Sequence, residues 1–339
     1  MIAVYGATGH TGRLVSAELV DRGEKVILAG RDAAGLEKLA AELGPLTEVR
    51  AAGLDDGQAL LAAMDGAAVV INCAGPFARS GGPVATAAIA AGAHYLDHAA
   101  EPLHSRNLFE NFDADARTAK VVLSPGMSLY GAIADLLAAT VTEGQGPVDA
   151  VSVAYAVNGW RMTSASKNTA THLVSADRLT YVDGTLQLVA REAETAIFDY
   201  PAPIGARPVL VNYPAGEVVT IPRRVDTRSV GVFMTAETFQ EETVFTSEDI
   251  ASADRAGSAF TVVVRATSGA GTRIGYVRGN DIYRVGALVS VEAAQALAVG
   301  NIRLDGARSA AELFAPADFL QRLQELDCFT DVHLREETV

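Results

Sequence analysis

The sequence predicts an α/β fold with two parts, an N-terminal doubly wound parallel sheet and a second, mixed α/β domain. Across the first third of the 339 residues, short apolar strands alternate with amphipathic helices, as in a parallel sheet with crossover helices. From residue 148 onward the pattern becomes a two-residue alternation, which is typical of strands in a second sheet. We therefore place the domains at residues 1–126 and 127–339, and we expect roughly the last 40 residues to pack back on the first domain.

A glycine-rich turn follows the first strand. The strand covers residues 2–5, and the turn leads directly into an amphipathic helix. This order is the dinucleotide-binding fingerprint of a Rossmann sheet, because a pyrophosphate must approach backbone N–H groups at the helix N-terminus without meeting a Cβ. The residues of this turn that we expect to contact the cofactor are Gly6, Thr8, Gly9, His10, Thr11 and Gly12.

The end of the second strand indicates which nicotinamide cofactor binds. An NAD site needs an acidic residue there to hold the ribose 2′-hydroxyl, whereas this strand ends in Gly30 and Arg31. A guanidinium can bind the 2′-phosphate and stack on adenine, so the sequence favours NADP(H). Asp32 leaves an alternative open, since its carboxylate could turn inward to a ribose hydroxyl.

A second turn is expected beside the cofactor, at the end of the fourth strand. Ligands of doubly wound sheets lie at the carboxyl ends of the strands, near the point where the strand order reverses. Gly75 permits close backbone approach there and Pro76 stiffens the turn. The residues that we expect near the nicotinamide half are Asn72, Ala74, Gly75, Pro76 and Phe77.

Several motifs together resemble saccharopine-dehydrogenase-like oxidoreductases. They are the glycine turn, the segments Leu28–Arg31, Asn72–Phe77 and Ala91–Asp97, and the residues Gly81, Glu101, Pro125 and Gly126. Weaker similarity follows at residues 279–283 and 310–320. The resemblance implies a Rossmann domain followed by a mixed α/β domain, NADP(H) as the cofactor, and hydride transfer as the chemistry.

The resemblance leaves the substrate open, because this family includes imine reductases and trans-acting enoyl reductases. We predict reduction of a C=N bond in a small metabolite, with C=C reduction as the alternative. A third possibility is a redox sensor that binds NADP without turnover. The chain also departs from the family where Ala100 precedes Glu101 in place of glycine, so the loop beside the nicotinamide is expected to differ.

Four residues are candidates for proton transfer. Asp97, His98 and Glu101 follow the fifth strand, where the chemistry of such a sheet takes place, and Tyr130 follows shortly after the sixth. The Tyr and Lys pair of short-chain dehydrogenases is absent, because no tyrosine is followed by a lysine four residues later. This absence does not argue against an enzyme, since the cofactor itself carries the hydride.

The segment from Trp160 to His172 is the candidate substrate-facing region of the second domain. It contains the only tryptophan, together with Arg161 and Lys167, which could hold an anionic or carbonyl-bearing substrate. A helix-capping role for its hydroxyl groups has comparable weight. The segments 200–208 and 213–224 read as surface loops or oligomer contacts.

Composition limits the partners. The net charge of −14 disfavours nucleic acids and anionic membranes, and no run of 18 residues lacks a polar interruption. Cys73 and Cys328 show no metal-ligand spacing, so no metal site is expected. We expect a soluble, cytoplasmic protein with a small-molecule substrate and, by default, a homodimer.

Overall fold

The computed structural model describes residues 1–175, 177–190, 194–240, 244, 256–300 and 302–338. The chain folds into two compact units. Unit 1 comprises residues 1–99, 104–128 and 283–308, and unit 2 comprises residues 100–103, 129–282 and 309–339. Residues 283–308 therefore belong to the first unit. The sequence predicted this for roughly the last 40 residues, but residues 309–339 belong to unit 2.

Unit 1 is built on a seven-stranded sheet in which every pairing is parallel. Its strands are β1 (Ile2–Tyr5), β2 (Val26–Gly30), β3 (Thr47–Ala51), β4 (Val69–Asn72), β5 (His94–Asp97), β6 (Val122–Ser124) and β15 (Gly306–Ala307). The order is β15-β6-β5-β4-β1-β2-β3. The chain reverses direction across the sheet between β1 and β4, which confirms the doubly wound class.

Helices follow the strands of this sheet. They are α1 (His10–Asp21), α2 (Ala33–Leu43), α3 (Gly57–Met64), α4 (Phe77–Ala90), α5 (Pro102–Asn107), α6 (Asp113–Ala119) and α10 (Ile282–Ala298), with a π-helical turn at Leu108–Phe112. Asp32 and Asp56 cap α2 and α3 by accepting backbone N–H bonds. Helix α4 begins at Phe77 and contains Pro83. Strands β1, β2 and β4 are buried along their whole length, as expected for a sheet covered on both faces.

Unit 2 contains a mixed sheet of longer strands. They are β7 (Ala150–Asn158), β8 (Arg178–Val182), β9 (Thr185–Val189), β10 (Thr195–Tyr200), β11 (Gly205–Leu210), β12 (Val230–Thr235), β13 (Ala259–Ser268), β14 (Gly271–Asn280) and β16 (Asp331–Thr338). The main path is β10-β11-β12-β7-β13-β14-β16, and β7 pairs parallel with β12 and antiparallel with β13. A second, mixed α/β part is therefore confirmed.

The helices of unit 2 are α7 (Ala134–Val141), α8 (Ser164–Ser175), α9 (Glu217–Thr220), α11 (Ala310–Leu313) and α12 (Pro316–Glu325), with short 3-10 turns at Ile221–Arg223 and Ala236–Phe239. Residues 200–208 end β10 and begin β11, so they form a hairpin connection. The surface-loop prediction for 213–224 is wrong for its middle, because residues 214–221 are buried. The apolar side chains of Val218, Val219 and Ile221 explain this burial.

No helix in the described ranges is long and apolar enough to cross a membrane.

Candidate active site and cofactor cradle

The glycine turn after β1 forms a cradle that has no room for added side chains. Gly6 adopts φ 79°, a conformation that favours glycine. A Cβ on Gly12 would overlap the carbonyl oxygen of Gly6, and a Cβ on Gly6 would lie 2.9 Å from that of Ala74. The turns after β1 and β4 therefore lie side by side, which brings together the two groups of predicted cofactor residues in unit 1.

The N-terminus of α1 is open for an anion. Gly9 occupies the N-cap position, and within the described chain no side chain caps the helix and no acidic residue lies in its first turn. The first helical N–H groups have no partners inside a helix, and the helix dipole is positive at this end. His10 and Thr11 begin the helix, and the His10 ring meets that of Tyr283 edge to face at 4.7 Å. The cradle thus fits the pyrophosphate of a dinucleotide.

Arg31 and Asp32 follow β2, and they differ in their contacts. Arg31 is exposed and makes no hydrogen bond or ion pair with the other described residues, although its charge acts on the hydroxyl of Tyr5. The Asp32 carboxylate accepts the backbone N–H of Gly35 at 3.0 Å as the cap of α2. Oδ1 of Asp32 is therefore engaged in the cap, whereas the guanidinium of Arg31 is exposed at the end of β2.

The turn after β4 is fixed by a buried network that begins at Asn72. The Asn72 side chain donates to the hydroxyls of Ser80 at 3.3 Å and Tyr95 at 3.2 Å, and it accepts the N–H of Ala74 at 3.0 Å. Asn72 is fully buried, so it shapes the turn through which the backbone of residues 74–76 can approach a cofactor. Phe77 is also buried and begins α4.

The same network continues to Asp97 at the end of β5. The Asp97 carboxylate accepts hydrogen bonds from the Tyr95 hydroxyl at 2.9 Å and from Nε2 of His104 at 2.7 Å. It also accepts the backbone N–H groups of Ala99 and Gly126, both at 2.9 Å. These bonds tie the ends of β5 and β6 together.

Burial alone would raise the pKa of Asp97, but the positive charge and hydrogen bond of His104, with the two backbone N–H groups, hold it below its usual range. A buried carboxylate with four donors is suited to holding the site in shape. The prediction that Asp97 donates a proton stays a prediction.

His98 is held in its neutral form. Its ring nitrogens lie 3.2 Å from the Ser128 hydroxyl and 3.0 Å from that of Ser290. Burial lowers the pKa of His98 to about 4, and the negative charge of Asp97 offsets only part of that effect. His98 therefore joins the loop after β6 to helix α10 within unit 1. The catalytic prediction for His98 is not tested by this arrangement.

The remaining proton-transfer candidates belong to unit 2. Glu101 is buried, and the hydroxyl of Thr169 on α8 donates to its Oε1 at 3.5 Å. Tyr130 lies where the backbone turns sharply before α7, with Gly131 at φ 97°. The Tyr130 ring packs against those of Tyr155 at 5.0 Å and Trp160 at 6.1 Å.

Residues 160–172 include a buried aromatic side chain, a helix cap and partly exposed cationic side chains. Trp160 is buried among aromatic rings, whereas the hydroxyl of Thr163 caps α8 by accepting the N–H of Ser166 at 3.0 Å. The capping alternative therefore accounts for part of the hydroxyl groups. Arg161 and Lys167 are partly exposed. His172 lies in α8, but its side chain is outside the described residues.

Sequence reasoning missed Glu217 and Tyr155. Both side chains are fully buried, and the Tyr155 hydroxyl donates to Oε1 of Glu217. The backbone N–H of Gly131 donates to the same oxygen at 3.0 Å, so Glu217 holds the turn that carries Tyr130. The sequence signal that could have identified Glu217 was one acidic residue directly before the apolar residues Val218 and Val219.

The cradle, the uncapped helix and the parallel sheet define a dinucleotide-binding Rossmann protein. Residues 2–125 match the family described as "Saccharopine dehydrogenase NADP binding domain". The match covers the first domain, and it agrees with the saccharopine-dehydrogenase-like resemblance that the sequence predicted there.

Curated relatives with similar sequences include the "Trans-acting enoyl reductase" proteins of Mycobacterium leprae (strain TN) and Mycobacterium tuberculosis (strain ATCC 25618 / H37Rv). The first is 33% identical over 132 residues and the second 32% identical over 132 residues. Each match covers 37% of this chain and 32% of the relative. The matched segment therefore spans about a third of the length of these relatives.

Solved structures show the same fold over nearly the whole chain. Apo saccharopine dehydrogenase (L-Glu forming) from Saccharomyces cerevisiae has a TM-score of 0.68 at 10% identity, covering 100% of this chain and 99% of that one. Amine dehydrogenase from Mycobacterium smegmatis has a TM-score of 0.53 at 11% identity, covering 93% and 96%. At these identities the likeness establishes the fold alone.

Proposed function

We propose that this protein is an NADPH-dependent reductase that transfers a hydride to a conjugated C=C bond. The observation that carries the proposal is Tyr130, which lies against Tyr155 in a cluster anchored by the buried acid Glu217. Hydride addition to an enoyl group leaves negative charge at the α carbon, which must then take a proton from an acid. The enoyl reductases that match the first domain support the same substrate class.

The preference for NADPH over NADH is part of the proposal. It is supported by Arg31, which is exposed at the end of β2, and by Asp32, whose carboxylate caps α2. A planar guanidinium suits a 2′-phosphate, whereas the carboxylate of Asp32 is engaged through Oδ1 at the cap of α2.

Reduction of a C=N bond is the second candidate. The rings of Tyr130, Tyr155 and Trp160 favour it, because aromatic faces suit a cationic iminium group. A protonated imine is already electrophilic, so binding and orientation could suffice for its reduction.

A substrate panel distinguishes these possibilities. NADPH oxidation would be followed with α,β-unsaturated thioesters and with cyclic and acyclic imines, and Tyr130→Phe would be compared with the wild type. We expect turnover of the thioesters and a loss of about 100-fold or more in Tyr130→Phe, which is the usual contribution of a general acid, with unchanged NADPH affinity. Turnover of imines alone would move the assignment to C=N reduction. Tight NADPH binding with no turnover of any compound would instead favour the non-catalytic sensor.

The assembly and partners are also proposals. We propose a homodimer that acts on a small molecule, without a nucleic acid or membrane partner. Light scattering coupled to size-exclusion chromatography would measure the mass in solution, and a monomer at all concentrations would contradict the dimer.

A further inference from the structure

The ring of His98 lies between two serine hydroxyls in unit 1, and their bonds determine which ring nitrogen carries the hydrogen. The hydroxyl of Ser290 on α10 donates its proton to the carbonyl oxygen of Ala287 at 2.9 Å, because a carbonyl oxygen can only accept. The oxygen of Ser290, at 3.0 Å from Nε2 of His98, must therefore accept. Nε2 thus carries the hydrogen, and Ser290 is fully buried, so bulk water does not compete for these bonds.

The other ring nitrogen of His98 determines what the hydroxyl of Ser128 can do. Burial lowers the pKa of His98 to about 4, so at neutral pH Nδ1 has a lone pair in place of a proton. Nδ1 lies 3.2 Å from the Ser128 hydroxyl, which must then donate its proton to the ring. Ser128 is partly exposed. Its oxygen can therefore accept a hydrogen bond from a ligand, but it has no proton to offer one.

Backbone bonds place Ser128 at the carboxyl edge of the parallel sheet. The N–H of Met127 donates to the carbonyl oxygen of Asp97 at 2.7 Å, which ties the loop after β6 to the end of β5. The N–H of His98 donates to the carbonyl oxygen of Asn72 at 3.3 Å, which ties the end of β5 to the end of β4. Ser128 therefore lies at the edge where a doubly wound sheet binds its ligand.

The strand order determines which end of a dinucleotide reaches this edge. The glycine turn follows β1, which lies between β2 and β4. Arg31, the candidate for the 2′-phosphate of the adenosine half, follows β2. The nicotinamide half then belongs on the other side of β1, over the ends of β4 and β5, to which the loop carrying Ser128 is tied.

The carboxamide of nicotinamide has the donor that the Ser128 oxygen needs. An amide NH₂ group donates hydrogen bonds, whereas a substrate carbonyl or a developing oxyanion only accepts them. We infer that Ser128 accepts a hydrogen bond from the carboxamide NH₂ of the nicotinamide, with its hydroxyl oriented by His98 and, through His98, by Ser290. Ser128 is thus a cofactor-binding residue, and the other two are positioning residues. By holding the carboxamide, Ser128 would restrain rotation of the nicotinamide ring, and hydride transfer depends on such positioning.

Two cofactors that differ only in this donor test the inference without a substrate. In the 3-acetylpyridine analogue of NADP⁺, a methyl group replaces the NH₂ group, so the analogue cannot donate there. Calorimetric titration would give the Kd of each compound, and the ratio of the analogue Kd to the NADP⁺ Kd isolates the donor. We expect this ratio to fall by about 3- to 10-fold in Ser128→Ala, which is the usual contribution of one neutral hydrogen bond.

Ser16→Ala is the matched control for the same change of residue. Ser16 is a fully buried serine on α1, and its hydroxyl has no hydrogen-bond partner among the described residues. The Kd ratio should keep its wild-type value in this variant. An unchanged ratio in Ser128→Ala would overturn the inference, and so would a wild-type protein that binds neither compound.

Nitrogen-15 NMR of the protein without cofactor tests the positioning residues. The chemical shifts of the ring nitrogens report which one carries the hydrogen, and the signals of His98 are identified by their loss in His98→Asn. We expect the Nε2–H form in the wild type at neutral pH and a gain of the Nδ1–H form in Ser290→Ala, which lacks the acceptor. The Nδ1–H form or a charged ring in the wild type would overturn the orientation of Ser128.

Ser290→Ala should also lower the Kd ratio, because Ser128 would then accept from the ring and turn its own proton toward the ligand. A purely structural role for Ser290 would leave the ratio unchanged, and that result would remove it as a positioning residue.

The inference rests on cofactor binding and does not depend on the proposed substrate. An unchanged Kd ratio would refute Ser128 as the carboxamide acceptor while leaving the proposed reductase intact. Absence of turnover across the substrate panel would remove the proposed function, and the Kd ratio would still decide the role of Ser128.

Discussion

Replacing Arg31 by alanine tests the cofactor assignment directly. Arg31 is exposed and lacks a hydrogen-bond or ion-pair partner among the described residues, so its removal should leave the fold intact. A charged hydrogen bond contributes about 1.5–3 kcal/mol. The loss should therefore raise the Kd for NADPH by roughly 10- to 150-fold. Because the site is exposed, we expect a value toward the lower end, decreasing as salt screens the charge.

Calorimetric titration of NADPH and NADH with each variant provides the measurement. The Kd for NADH should change less than about threefold, since NADH has no 2′-phosphate for Arg31 to contact. Arg31→Lys should recover part of the NADPH affinity, because it retains the charge but not the planar fork. Arg228→Ala is the control, since it removes the same charge from an exposed ion pair with Asp183 in unit 2.

Equal losses for NADPH and NADH would refute the reasoning, because they would place Arg31 away from the 2′-phosphate. Unchanged NADPH affinity would do the same.

Two stability predictions follow from the network in unit 1. Gly81→Ala should destabilise the protein by about 1–3 kcal/mol in urea unfolding, because its Cβ would overlap the His104 ring that is bonded to Asp97. Gly82→Ala on the same helix is the control and should cost nothing, since its Cβ would meet its nearest atom at 3.8 Å; an equal loss there would contradict the overlap. The lowered pKa of His98 means that the unfolded chain binds the extra proton, so stability should fall by up to about 3 kcal/mol as pH decreases from 6.5 to about 4. Urea unfolding across this range should show a smaller decrease in His98→Asn, and identical slopes would argue against a neutral buried His98.

The two parts of the chain place different constraints on function. The cradle in unit 1 is built from backbone groups and from glycines that exclude a Cβ, so it specifies a dinucleotide and little about the second substrate. In unit 2 the Tyr130 ring packs against Tyr155 and Trp160, and Tyr155 donates to Glu217; all four residues lie outside residues 2–125. This division explains why similarity confined to residues 2–125 supports the cofactor more strongly than the substrate.

The sequence by itself determined the cofactor domain because the signals there are local. The turn Gly6–Gly12, the alternation of strands and helices, and the Gly30-Arg31 ending each depend on residues close together in the chain. Backbone sterics and helix capping act over such short distances, so spacing alone specifies them. The turn predicted at the end of the fourth strand follows β4 for the same reason.

Only the tertiary structure decided which distant residues share a site. Glu217 meets Gly131 and Tyr155 across separations of 86 and 62 residues, and no local pattern encodes such contacts. Likewise β15 pairs with β6 although residues 129–282 lie between them in the chain. Burial then changed the chemistry of particular groups, since it raises the pKa of Glu217 and lowers that of His98. The pKa of a side chain shifts in this way because packing creates low-dielectric surroundings, and those surroundings are a property of the folded chain.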